Sequence, residues 1–183
     1  MDDKAFMNHK GFTLWLTGLP RAGKSTIAGL IAGRLRSMGV TTIEVLDGDI
    51  VREGLCRGLG FSRADRTENI RRISFVSKLL TRNGVVVIVA AISLYREDRE
   101  LAREEIQSFV EVWCKASVDA CAARDYKGLY EKARRGEITN LTGVNDPYEE
   151  PDDADLVLDT ESETPEQSAD RVMEVLQGKG LLG

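Results

Sequence analysis

Histidine is nearly missing from this chain. His9 is the one example, and it lies in a polar N-terminal stretch. Ser-His, Cys-His and His-metal chemistry are thereby set aside, and any general base is a carboxylate, a lysine or a tyrosine. Cysteine is sparse and odd in number: Cys56, Cys114 and Cys121 form no C-x-x-C pair, so they read as reduced core residues rather than a disulfide frame or a zinc site. No long hydrophobic run is present. The longest, 85–92, falls far short of the ~20 residues of a membrane helix, and MDDKAFMNHK has no apolar signal region, so a cytoplasmic protein with no membrane partner is expected. Basic residues are outnumbered, 25 Lys plus Arg against 30 Asp plus Glu, for a net charge of −5 and a pI near 5.1; this argues against nucleic acid as a partner. Repeats, low-complexity tracts and Pro/Gly/Ser-rich linkers are absent too. The expectation is an N-terminal arm over 1–10 and a single domain over 11–183.

What the chain does contain is an alternation of apolar runs and amphipathic stretches. Strands are expected over 12–17, 42–46, 85–91, 109–114 and 156–158, and helices over 24–38, 66–82, 96–107 and 165–176. The Val/Ile run at 85–91 is of the kind a parallel sheet buries on both faces. Strands separated by helices imply a three-layer α/β domain. Between the fourth and fifth strands, the polar segment 125–155 has little apolar content and is read as a lid.

Gly18-Leu19-Pro20-Arg21-Ala22-Gly23-Lys24-Ser25 matches G-x-x-x-x-G-K-[ST] between the first strand and the first helix, the context that marks a P-loop. Backbone N–H groups and the helix N-terminus cradle a polyphosphate over 18–26, Thr26 included; Lys24 reaches the β and γ phosphates and the Ser25 hydroxyl ligates Mg²⁺. A nucleoside triphosphate and Mg²⁺ are the expected ligands. The motif alone leaves the reaction open. No N-K-x-D segment for guanine selection is present, and the third strand runs into Ile92-Ser93 rather than ending in Asp.

Carboxylates stand instead at the end of the second strand, in Asp47-Gly48-Asp49. On an extended segment the two acids project to the same side, at a strand end where α/β sheets meet substrate. A basic island follows: Arg52, Arg57, Arg63, Arg66, Arg71, Arg72, Lys78 and Arg82 against Glu53, Asp65 and Glu68, a local balance of +5. Over 146–174 Arg171 is the single base among twelve acids. A basic island beside a P-loop in an acidic protein suits a second, anionic small molecule.

LDGDIVREGL (46–55), LGFSRADRTENIRR (59–72), ISLYREDRELAR (92–103), KGLYEKARRGEI (127–138) and TGVNDPYEEP (142–151) together resemble the adenylyl-sulfate kinase (APS kinase) family. The resemblance implies a P-loop kinase fold with a parallel five-stranded sheet and a lid, a homodimer, and a place in sulfate assimilation. It also implies transfer of the ATP γ-phosphoryl to the 3′-hydroxyl of adenosine 5′-phosphosulfate, giving PAPS and ADP. Carried onto this sequence, it makes Asp49 the acid near the attacking hydroxyl and magnesium, and Asp47, Arg52, Arg66 and Asn69 contacts of the sulfonucleotide. Phe61 stacks on the acceptor adenine, Lys127 belongs to the lid, and Arg124 lies against the ATP adenine. Ser93 corresponds to a serine labelled a phosphoserine intermediate, although direct in-line transfer proceeds without one.

The chain departs from the family pattern at Pro20-Arg21, where Ser-Gly is usual. Proline gives up one N–H, and arginine restricts a position where glycine allows any φ, though Arg21 could itself reach a phosphate. Leu94, Leu141 and Asn145 stand where proline, phenylalanine and an acid are usual. A kinase for another small acceptor, or a catalytically silent nucleotide-binding module, are the alternatives the residues leave open.

Overall fold

Five strands pair throughout in parallel: β1 (Phe12–Thr17), β2 (Ile43–Asp47), β3 (Val86–Ala90), β4 (Phe109–Lys115) and β5 (Leu156–Asp159), in the order β2-β3-β1-β4-β5. The computed structural model describes residues 10–182; the expected arm, with His9, lies outside them apart from Lys10. Among these described residues seven helices connect and cover the strands: α1 (Lys24–Ser37), α2 (Gly48–Glu53), α3 (Arg63–Arg82), α4 (Arg96–Glu105), α5 (Val118–Ala123), α6 (Leu129–Arg134) and α7 (Pro165–Gly178).

Strand periodicity sorts the apolar side chains into two layers. Phe12, Leu14, Leu16, Val86 and Ile88 pack with Ile27, Ile31 and Leu35 of α1 and Val172 and Leu176 of α7. Trp15, Val87 and Val89 point the other way, onto Ile70 and Ile73 of α3 and Ala102 of α4. Every residue of β3 is buried, the burial on two faces expected of its Val/Ile run. Each such side chain contributes roughly 1.5–3 kcal/mol.

Helix ends follow local chemistry. The Ser62 hydroxyl accepts from the Asp65 N–H, so α3 starts three residues before the expected 66. Thr164 and Gln167 form a reciprocal capping box on α7. The six-residue helices α2, α5 and α6 are too short for periodicity to reveal. The 125–155 segment is more ordered than its composition suggests, because Tyr130, Ala133 and Leu141 seat in the α1-side core. With β1 central and the chain passing from β3 across it to β4, the carboxyl ends of these strands form the crevice where such sheets bind ligands.

Candidate active site

The loop after β1 is shaped by two glycines. Gly18, at φ +143°, passes so close to β4 that an added Cβ would stand 2.4 Å from the Cys114 carbonyl oxygen. Gly23, at φ +92°, caps α1 without a side chain. Lys24 is buried, and its Nζ donates to the carbonyls of Gly18 (2.9 Å) and Leu19 (2.7 Å). Burial lowers its pKa from the ordinary lysine range, opposed by Cys114, Cys121, Asp47 and Asp49.

The acids facing this loop are arranged differently from the extended pair expected. Helix starts at Gly48, and Asp47 is its cap, with Oδ1 accepting from the Asp49 N–H at 2.9 Å. The other oxygen, Oδ2, accepts from the Ser25 hydroxyl at 2.5 Å. Asp47 therefore holds the hydroxyl of the phosphate loop, while Asp49 sits in the first turn of α2. Carboxylate capping outweighed the extended geometry because a Ser/Asp-type residue before a turn satisfies helix N–H groups that would otherwise lack a partner.

Arg52, on α2, donates to the carbonyls of Leu59 and Gly60 and stands 4.6 Å from the centroid of Phe61. The Phe61 ring is exposed and also lies 5.3 Å from the Arg66 guanidinium. Arg66 is buried and reaches across to the 125–155 segment, with Nη2 at 2.6 Å from both the Asn140 carbonyl and Asp146 Oδ2. Asn69, one turn later, is buried, and its Oδ1 has no hydrogen-bond partner. The rest of the basic island serves the surface: Arg71 and Arg72 both grip Glu68, holding its carboxyl at a pKa of about 2.

A cleft of about 980 Å³ joins these groups. It is lined by Pro20, Arg21, Gly23, Lys24, Ser25, Thr26, Asp47, Asp49, Arg52, Phe61, Arg66, Asn69, Ser93, Arg124 and Lys127. Gly18, Leu19 and Ala22 stand behind that wall. Arg124 donates to the Thr160 carbonyl at 2.6 Å. Arg21, at φ +67°, directs its side chain to Asp125 and Tyr126 rather than along the loop. Ser93, at φ +47°, is buried; its Oγ accepts from Trp15 Nε1 at 3.0 Å and its carbonyl from Arg99 Nη1 at 2.5 Å.

Sequence reasoning passed over Asp98, Tyr126 and Thr142, which also line the cleft. Asp98 is buried, accepts from Thr67 Oγ1 at 3.2 Å, and has its pKa raised by burial. Its place in ISLYREDRELAR was the available signal. Among the described residues no cluster of three His, Cys, Asp or Glu forms a metal site, and no helix is long and apolar enough to cross a membrane.

A P-loop at the crevice of a parallel sheet, sharing one cleft with Asp47, Asp49, Arg52 and Arg66, defines a P-loop kinase. Residues 10–159 match the family model described as adenylylsulphate kinase. The adenylyl-sulfate kinase of Picosynechococcus sp. is 52% identical over 176 residues, covering 96% of this chain and 99% of that protein. Among solved structures, an APS kinase of Mycobacterium tuberculosis in complex with AMPPNP and APS superposes with a TM-score of 0.87 at 44% identity, covering 93% of this chain and 99% of that one. A hexameric APS kinase from Thiobacillus denitrificans gives 0.74 at 34%, covering 96% of this chain and 30% of that one. This chain belongs to the adenylyl-sulfate kinase family.

Proposed function

We propose that this protein transfers the γ-phosphoryl of ATP to the 3′-hydroxyl of adenosine 5′-phosphosulfate, releasing PAPS and ADP. The observation that carries the reading is the continuity of the cleft: Ser25 bonds Asp47, Asp47 caps α2, and α2 carries Asp49 and Arg52 to Phe61 and Arg66. A donor site and an anion-binding site are thus joined with carboxylates between them. The cleft volume is at the upper end of the roughly 300–1,000 Å³ of small-molecule pockets, which suits two nucleotides side by side.

In the reaction the acceptor oxygen forms a bond to Pγ as the bond from Pγ to the β,γ-bridging oxygen breaks. Phosphoryl transfer is loose, so positioning and charge neutralisation dominate. Lys24 and the loop N–H groups hold the donor phosphates, and Asp49 orients the acceptor hydroxyl and takes its proton. Arg52, Arg66 and Asn69 hold the sulfonucleotide, Phe61 stacks on its adenine, and Arg124 lies along the ATP adenine. The hydroxyl and carboxylate oxygens of Ser25, Asp47 and Asp49 are hard donors that fit Mg²⁺, an ion bound through one or two carboxylates plus phosphates. When bound, Mg²⁺ neutralises charge on the donor phosphates. No step passes through Ser93, whose hydroxyl is engaged by Trp15. A homodimer belongs to the same reading and is checked by sedimentation.

The test is incubation with MgATP and adenylyl sulfate, with gluconate, shikimate and nucleoside monophosphates as rival acceptors. PAPS forms with adenylyl sulfate alone and is lost in Lys24→Ala. Absence of PAPS above that control overturns the proposal.

A further inference from the structure

The two residues that depart from the usual phosphate-loop pattern are both engaged by the α5–α6 turn and the start of α6. Tyr130 Oη donates to the Pro20 carbonyl at 2.8 Å. Arg21 Nε lies 3.3 Å from Asp125 Oδ1, and the guanidinium carbon stands 4.4 Å from the centroid of Tyr126. Asp125 is a firm anchor. Its side chain is 1% exposed, and it also accepts from the N–H groups of Lys127 (3.2 Å) and Tyr130 (3.0 Å). Burial works to raise its carboxyl, but the backbone donors and Arg21 outweigh burial and keep its pKa below the ordinary range. Arg21 adopts φ +67°, a conformation disfavoured for any residue with a Cβ, and that conformation accompanies the ion pair and the ring contact.

We propose that Arg21 is a positioning residue that fastens the phosphate loop to the base of the 125–155 segment, so that the loop holding the nucleotide also sets the turn carrying Tyr126 and Lys127. The contacts divide the two ligands between different supports. Arg124, on the ATP side, is held by Thr160 independently of Arg21. Lys127 Nζ lies 5.9 Å from the Tyr126 centroid, so displacement of Tyr126 carries over to it. Arg21 offers the nucleotide its backbone N–H, which glycine supplies equally. Its side chain therefore bears on the acceptor through Lys127. This rests on reading the cleft as an adenylyl-sulfate kinase site and deepens that reading.

The experiment compares the full chain with Arg21→Gly, Arg21→Lys and Tyr126→Ala. Glycine suits a positive φ and Tyr126 is 80% exposed, so neither change threatens folding; melting temperatures verify this. Limited trypsin digestion reads the turn directly, since Arg124 and Lys127 are exposed. Cleavage between residues 124 and 135 should be roughly fivefold faster in Arg21→Gly and Tyr126→Ala, and nearer the parent rate in Arg21→Lys, which keeps the charge without the planar fork. The KM for adenylyl sulfate should rise about five- to tenfold in Arg21→Gly, more than the KM for ATP, as loss of a charged hydrogen bond implies. Cleavage at the parent rate, or a KM for ATP rising as much as that for the acceptor, overturns the proposal. If the parent protein makes no PAPS, the functional reading fails, while the digestion still decides whether Arg21 fastens the turn.

Discussion

Lys24 and Cys114 face the same crowded wall, and burial disfavours the charged form of each. It lowers the Lys24 pKa and pushes the Cys114 thiol up to about 12. A thiol so raised holds a negligible thiolate fraction at pH 7–8. The three described cysteines are free and buried, so the folded protein should resist iodoacetamide, with full labelling after unfolding. Rapid alkylation of Cys114 in the native state, read by mass spectrometry, would contradict this placement. Arg66 allows a sharper test. Its fork spans the Phe61 carbonyl on one side and Asn140 and Asp146 on the other. Arg66→Lys keeps the charge but loses the fork, and the expected outcome is a roughly tenfold higher KM for adenylyl sulfate with a smaller change for ATP. At this scale residue types were readable from the sequence and their partners were not. Within the basic island only the family resemblance marked Arg52 and Arg66; Arg71 and Arg72 looked the same by composition until the structure paired both with Glu68.

The elements legible in advance were those with a long periodic signal. β1, β3 and α1 fell within a residue or so of expectation, since a buried Val/Ile run and apolar spacing of 3.6 are properties of the chain alone. Helix α2 was not legible, because D-G-D is equally at home in a turn, a strand end or a cap. The cap itself is local, Asp47 Oδ1 accepting from the Asp49 N–H; what lies beyond local sequence is Ser25, 22 residues earlier and 2.5 Å from the other carboxylate oxygen. The arginines of α4 show the same limit. The sequence marks only a charged helix there, yet Arg99 is buried, with Nε 2.9 Å from Glu111 Oε1 on β4, an ion pair whose angle misses that of a hydrogen bond. Arg99 also holds the carbonyls of Ser93 and Glu149. Arg99→Ala leaves Glu111 to Arg103 alone and strips the carbonyls of Ser93 and Glu149 of their donor, and should cost about 1–3 kcal/mol in denaturant unfolding. In β3, Ile88→Ala should cost roughly 2–5 kcal/mol, through lost burial plus the cavity it leaves.

Across the whole molecule, the acidic C-terminal region is a set of straps. Glu149 accepts from the Arg96 N–H, Asp152 pairs with Arg96, and Asp155 joins Arg103, Lys179 and the Glu111 N–H. Burial works to raise the Asp155 pKa, but Lys179, the Glu111 N–H and Arg103 outweigh it and lower the pKa from the ordinary aspartate value. A carboxyl depressed in the folded state stabilises above its unfolded pKa near ~3.9 and loses that contribution as pH falls through the lower folded value. Asp98, raised by burial, has the opposite sign: its contribution is greatest below its unfolded pKa and is lost as pH rises through the folded one. Acid unfolding followed by circular dichroism should therefore start near pH 4. Asp155→Asn should lower stability at pH 7 by about 1–2 kcal/mol and flatten that acid limb. An unchanged limb would show that the strap carries no linkage.

The alternation of strands and helices, the phosphate loop and the shortage of histidine were written into the chain, because each depends on residues near one another in sequence or on composition alone. The division of charge into a basic island and an acidic tail was equally visible. Its meaning was not: which acid holds the Ser25 hydroxyl and which part of the 125–155 segment grips Arg21 are contacts between residues 22 to 104 positions apart. Such contacts exist only once the sheet order β2-β3-β1-β4-β5 brings the strand ends together, and for that reason tertiary structure alone decided them.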